Sequence, residues 1–290
     1  MSPALQAALW MSGAILSFTS MAVAGRELSG AFDTFEIMLY RSLIGLLIVC
    51  VIARAFGRSN TIYPRRLRLH GIRNMAHFIG QNLWFYALTV IPLAQVFALE
   101  FTAPVWVVLL SPLILGERLT ATRMLAALIG FAGILIVARP TPETIDTGII
   151  AAAIAAVCFA FTGMFTKKLT RTEPVLSILF WLTLFQGAFG LICAGYDLDI
   201  ALPDLTNLPL VVVVGVGGLM AHFSITKALS LAPATIVMPV DFIRLPVIAV
   251  IGMLLYKEDL DWYVFLGAAV IFAGNYINIY FETRPPKQTA

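Results

Sequence analysis

The chain reads as an all-α membrane protein: ten transmembrane helices forming two inverted five-helix repeats around a central cavity. Three observations predict this. Of its 290 residues, 60% are hydrophobic and 12% charged, with a mean hydropathy of +0.92. Soluble domains are roughly 25% charged, so too few polar side chains remain to cover a water-facing surface. Apolar runs of about 20 residues, the length that crosses a bilayer, recur from end to end. Finally, the sequence matches itself at a shift of 141 residues.

The spans run Ala4–Ala24, Thr34–Phe56, Leu69–Val90, Leu93–Leu115, Ala121–Ala138, Thr147–Thr166, Pro174–Gly195, Leu208–Leu231, Ala232–Tyr256 and Trp262–Phe281. The first ends in "ILSFTSMAVAG", which resembles a leader cleavage site. No Lys or Arg precedes Arg26, so it reads as a membrane helix instead. "VIPLA" and "SLAPA" are tight proline turns joining spans 3 to 4 and 8 to 9.

Basic residues orient the spans. With the N-terminus inside, the cytoplasmic face holds Arg54, Arg58, Arg65, Arg66, Arg68, Arg73, Arg118, Arg123, Lys167, Lys168, Arg171, Arg284 and Lys287. The other face holds Arg26, Arg139 and Lys257. The positive-inside rule therefore puts both termini in the cytoplasm.

The 141-residue shift lays "ALTVIPLAQV" on "ALSLAPATIV", Glu117 on Glu258, Phe18 on Phe159, Arg26 on Lys167, and one "FAG" (Phe131–Gly133) on another (Phe272–Gly274). "MAHF" also occurs twice, at Met75 and Met220, slipped by four residues. Five spans per half is an odd number, so the second half enters the membrane upside down. The boundaries are 1–139 and 140–290. Folds of this kind bind substrate near the midplane, between the repeats.

Two halves of five spans, Arg41 in span 2, the "AL…P…A" turn, the "GE" at Gly116–Glu117 and the paired "FAG" resemble the drug/metabolite transporter superfamily, in its EamA-type branch. The resemblance covers nearly the whole chain. It departs at Lys257, in place of the second "GE" glycine, and at Leu182, in place of a second Arg41. It implies a carrier of amino acids, nucleotide-linked metabolites or drugs, many of them exported. The chain resembles bacterial amino-acid exporters most, including those for aromatic amino acids.

Candidate site residues are the polar groups inside spans. Glu100 costs roughly 2.5–3.5 kcal/mol in mid-membrane. The shift places it on Asp241, and each acid lies eight residues past its turn proline, Pro92 or Pro233. Cavity lining and a buried structural acid are both open. Arg244 follows Asp241 by three, on the same helical face, as an ion pair or a dock for a carboxylate. His77, Gln81 and Trp84 share one face of span 3, as His222 and Thr226 do in span 8. Phe101, Phe161 and Phe165 are mid-depth aromatics suited to a flat ligand. Arg41 is a gating or structural charge pairing with Glu36 or Glu100. Pro104 and Pro112 interrupt span 4, and Pro239 and Pro246 span 9, as kinks or hinges. Ala126-x-x-x-Gly130 and Ala269-x-x-x-Ala273 permit close helix contact, within the molecule or at a dimer face.

No GxSxG, P-loop, HExxH or DxDxDG sequence occurs, so the chain is expected to be no enzyme and to need no cofactor. Cys50, Cys158 and Cys193 stand singly in apolar runs, so no metal site is expected. The expected partners are a small-molecule substrate and the lipid bilayer, not nucleic acid. Protons are candidate co-substrates, and monomer and dimer are both open. The expected function is secondary export of small organic metabolites, amino acids foremost and aromatic or apolar ones among them, by alternating access in a bacterial inner membrane. Alternatives are uptake or efflux of a nucleotide-linked compound or lipophilic cation, or a non-transporting membrane subunit.

Overall fold

A computed structural model of the chain describes residues 3–63, 65–116, 120–139, 146–231, 240–241 and 243–282. Glu117, Arg118, Pro233, Pro239, Arg284 and Lys287 lie outside the described residues, as does the side chain of Thr226. The helices are α1 (Pro3–Leu28), α2 (Thr34–Ala55), α3 (Leu67–Val90), α4 (Leu93–Glu100), α5 (Ala103–Leu115), α6 (Ala121–Ala138), α7 (Thr147–Thr170), α8 (Val175–Ala194), α9 (Leu208–Leu231), α10 (Arg244–Tyr256) and α11 (Trp262–Glu282).

Among the described residues, six stretches are long and apolar enough to cross a membrane, within α1, α2, α4–α5, α7, α8 and α9. Three shorter apolar segments lie in α6, α10 and α11. α3 belongs to neither set because it carries His70, Arg73, Asn74, His77, Gln81 and Asn82. All six are buried. α3 is thus a polar helix turned inward, where protein groups replace the water that lipid cannot supply.

The repeat seen in the sequence recurs in the backbone. α9 begins and ends 141 residues after α3 (208 − 67 = 231 − 90 = 141), and α10 stands in the same relation to α5 (244 − 103 = 256 − 115 = 141). The caps match as well. Gly116 and Lys257 end α5 and α10 in the left-handed region, at φ 69 and φ 57, each donating its N–H to the carbonyl five residues back, of Ser111 and Gly252. The packing respects the shift: α1 lies along α9 and α3 along α7, while α2 faces α8 and α6 faces α11.

Span 4 is not one helix. It breaks at Phe101–Thr102, and Pro104 sits in the first turn of α5. A proline there forfeits no intrahelical bond, since first-turn N–H groups have no acceptor. Pro246 likewise lies in the first turn of α10, after a turn at Ile243. Both prolines therefore start a new helix, where a kink within a continuous one was expected. Pro112 alone stays inside α5. Asp33 caps α2 in a reciprocal box with Glu36, and Asp146 caps α7 through Ile149 N–H.

The small-residue motifs also separate. A Cβ on Gly133 would lie 2.7 Å from the Gly267 carbonyl, and one on Gly274 would lie 2.8 Å from that of Ala126. α6 and α11 therefore meet backbone to backbone within the molecule. Ala269 and Ala273 are exposed and take no part in this contact within the molecule.

Candidate substrate-binding site

The two helix breaks place charge in the interior. Glu100 is the last residue of α4 and Arg244 the first of α10. Arg244 Nη2 donates to Glu100 Oε1 at 3.0 Å and to Asp241 Oδ2 at 3.3 Å. Trp84 Nε1, from α3, donates to Glu100 Oε2 at 2.9 Å. The Arg244 guanidinium carbon lies 4.7, 5.0 and 4.9 Å from the ring centres of Phe18, Phe97 and Phe101. Cation–π attraction is strongest for such a desolvated cation. Arg244 is 2% exposed. Its Nε and Nη1, and Asp241 Oδ1, are buried without a hydrogen-bond partner among the described residues. The centre thus keeps two donors and an acceptor beyond what its own members satisfy.

The histidines form a second group beside it. The rings of His77 and His222 lie 6.0 Å apart. Phe159 stands 5.9 Å from His77, and Phe18 stands 5.9 Å from His222. Phe18 and Phe159 are the pair related by the 141 shift, so each half supplies one aromatic to the histidine of the other. Phe18 touches both groups and joins them. His77 Nδ1 accepts from Gln186 Nε2 at 2.6 Å, which leaves the ring proton on Nε2. Gln186 Oε1 in turn accepts from Arg41 Nη1 at 3.3 Å.

Most of the expected residues therefore converge. Trp84, Glu100, Phe101, Asp241 and Arg244 meet at one centre, with His77 and His222 next to it. Gln81 is buried on α3 between His77 and Trp84. Phe161 and Phe165 stack on each other, centroids 6.4 Å apart, and no contact among the described residues ties them to Arg244. The expected pairing of Arg41 with Glu36 or Glu100 is not formed. Glu36 Oε2 accepts from Asp33 N–H at 2.9 Å and Oε1 from Ala201 N–H at 2.6 Å, while Glu100 is taken by Arg244 and Trp84. Sequence reasoning missed Phe97 and Gln186, and gave Phe18 no role beyond the repeat. It also missed a fully buried pair, His70 Nε2 to Glu173 Oε2 at 2.7 Å, between the start of α3 and the turn before α8. The coincidence of Phe18 with Phe159 was a usable signal; nothing local marks the others.

A polar centre walled by aromatics at two interrupted helices, inside a bundle of apolar spans, defines an integral membrane transporter of small molecules. The family model for the EamA-like transporter family matches residues 5–139 and again residues 146–280, two copies 141 residues apart. The chain belongs to that family; it is a secondary transporter of small metabolites, not an enzyme. It is 24% identical over 276 residues to an S-adenosylmethionine uptake transporter of Rickettsia bellii, covering 95% of this chain and 94% of the relative. It is 32% identical over 212 residues to a riboflavin transporter of Brucella anthropi, covering 71% and 74%. One from Rhizobium johnstonii matches at 28% over 297 residues, covering 100% and 96%. A crystal structure matches with a TM-score of 0.66 at 21% identity, covering 95% of this chain and 96% of that one, a likeness of fold.

Proposed function

We propose that the chain carries a small metabolite with an amino-acid head and a flat ring, the class that includes S-adenosylmethionine and the aromatic amino acids. The observation that carries this is the Arg244 centre. It joins an acid from each half of the chain and sits among three aromatic faces. The acids suit an ammonium or sulfonium, and the aromatic walls suit a ring. S-adenosylmethionine, which the Rickettsia relatives' names say they take up, carries all of these groups.

The mechanism is alternating access between two inverted halves, 1–139 and 140–290, in a bacterial inner membrane with both termini cytoplasmic. The exchange of aromatic and histidine partners across the 141 shift supports the inversion, and the basic residues support the orientation. Export, expected from the sequence, and uptake, in the relatives' names, differ only in the sign of the gradient. A carrier of this kind runs either way, and a proton taken by Glu100 or Asp241 would couple it.

A second reading, riboflavin, is favoured by the 32% identity to a riboflavin transporter. It shares the flat ring but lacks the charged head. Reconstituted protein tested with labelled S-adenosylmethionine, phenylalanine, tryptophan and riboflavin separates the two. Saturable flux of the first three, reduced in Glu100→Gln, supports the main reading. Riboflavin flux that ignores Glu100→Gln supports the second, and no flux of any of the four refutes both.

A further inference from the structure

Of the buried arginines Arg41, Arg73 and Arg244, Arg244 has carboxylate partners among the described residues and Arg41 has none. Arg244 faces two carboxylates, and the more exposed Arg26 and Arg139 pair with Glu258 and Asp261. Arg41 is 7% exposed. Among the described residues its one hydrogen bond goes to the neutral amide of Gln186, and its Nε is buried with no acceptor. The acid on its own helix, Glu36, is committed to Asp33 and Ala201. An unpaired buried charge is among the costliest groups a protein can hold, so its retention calls for a counter-ion. Arg73 adds to the imbalance. It is 5% exposed and, among the described residues, donates to neutral oxygens alone, Thr166 Oγ1 at 3.1 Å and Asn74 Oδ1 at 2.7 Å.

A cleft adjoins Arg41. It is small, about 20 Å³, and is lined by Arg41, Ser42, Thr183, His222 and three glycines, Gly45, Gly215 and Gly218, among others. A Cβ on Gly218 would stand 2.7 Å from Arg41 Nε and 2.8 Å from Nη2. The bare backbone at Gly218 is what lets the guanidinium lie where it does. Packed side chains join the cleft to the other centre: His222 lines it, His222 packs on Phe18, and Phe18 packs on Arg244.

We infer that Arg41, with Ser42, Thr183 and His222 around it, is an anion-binding centre that takes the carboxylate of the transported metabolite. It complements the Glu100–Asp241 acids, which take the cationic group. The identity of that metabolite rests on the reading above; the anion centre itself does not.

The test uses the full chain in a neutral detergent and two probes of one shape, benzoate and benzamide. Melting temperature is titrated with each at constant sodium chloride, and the concentration dependence yields a dissociation constant. Wild type is expected to bind benzoate about tenfold or more tightly than benzamide. Arg41→Gln should abolish the preference and Arg41→Lys retain part of it. Should Arg41→Gln not fold, Gly218→Ala, which keeps the charge but displaces it, is expected to weaken benzoate alone. The inference is overturned by a wild type without preference, or by folded variants that keep it in full. Added phosphatidylglycerol should leave the benzoate constant unchanged; competition by it would assign the site to a lipid headgroup and overturn the metabolite carboxylate. Arg41-dependent benzoate binding without flux of any metabolite tested would leave the anion centre standing and remove only the substrate class.

Discussion

Glu100 and Arg244 face each other at 3.0 Å across the two halves of the chain, one closing a short helix and the other opening one. Neither placement favours the helices themselves. An anion at a helix C-terminus and a cation at an N-terminus both oppose the macrodipole. The pair is held instead by mutual attraction in a poorly solvated interior, by Asp241 and by Trp84. Such an arrangement is kept where the groups are needed for something other than helix stability.

Removing the shared cation is therefore expected to be costlier than removing one acid. Arg244→Gln leaves Glu100 and Asp241 buried without their counter-ion and should destabilise the protein by about 3–5 kcal/mol. Glu100→Gln keeps the shape and leaves Asp241 with Arg244, so it should fold and transport more weakly. Trp84→Phe removes one donor to a charged oxygen and should cost about 1.5–3 kcal/mol at most. Denaturant or thermal unfolding in detergent checks the order Arg244→Gln, then Trp84→Phe, then Glu100→Gln.

Lys257 occupies a left-handed cap that its counterpart Gly116 fills without penalty. A side chain in that region costs roughly 1–2 kcal/mol, offset in part by the extra freedom glycine has when unfolded. Lys257→Gly should raise stability by about 0.5–1 kcal/mol. A lower melting temperature in this variant would show that the lysine side chain makes a compensating contact.

Close packing of α6 and α11 makes its own prediction. A Cβ on Gly133 would sit 2.6 Å from Ile271 Cγ1, as well as close to the Gly267 carbonyl. Gly133→Leu should lower stability by about 1–3 kcal/mol or more through overpacking. Ala269→Leu, on the exposed face, should change it by less than about 0.5 kcal/mol. Equal losses in both variants would place Ala269 at an interface between molecules.

Glu258 ties three elements together. It pairs with Arg26 at the end of α1, and its Oε2 accepts from Leu93 N–H at 3.0 Å, the first residue of α4. Arg26 also lies 4.2 Å over the ring of Tyr256. Glu258→Ala should cost about 1–2 kcal/mol through the lost helix cap. It should also change the flux, because the contact crosses from one half of the chain to the other. Unaltered flux with the expected loss of stability would confine this residue to a structural part.

Much of this was legible in the sequence, and for a physical reason. Helix ends are set locally by turns, caps and prolines, so a repeat in those residues appears as a repeat in the helices; the matched limits of α3 with α9 and α5 with α10 follow. Glu100, Asp241 and Arg244 stood out because charge within an apolar span is costly wherever it points. Of the aromatic walls Phe101 stood out, but Phe18 and Phe97 did not, since phenylalanine suits lipid, core and cavity alike. Phe97 and Phe161 look equivalent in sequence, yet only Phe97 meets Arg244. Gln186 and the His70–Glu173 pair depend on contacts more than 100 residues apart along the chain, between elements whose relative rotation no local pattern fixes. Arg41 was assigned an acid partner because acids usually accompany buried arginines, and the structure gives it an amide.

The central claim is that the acids of the two halves serve one shared binding centre. Its most direct test is a double-mutant cycle on the apparent affinity of counterflow, using whichever of the four metabolites the reconstituted wild type carries. Glu100→Gln and Asp241→Asn, each confirmed as folded, should both weaken affinity. The double variant should depart from the sum of the two by about 1 kcal/mol or more. Strictly additive losses, or a folded single variant with wild-type affinity, would contradict it.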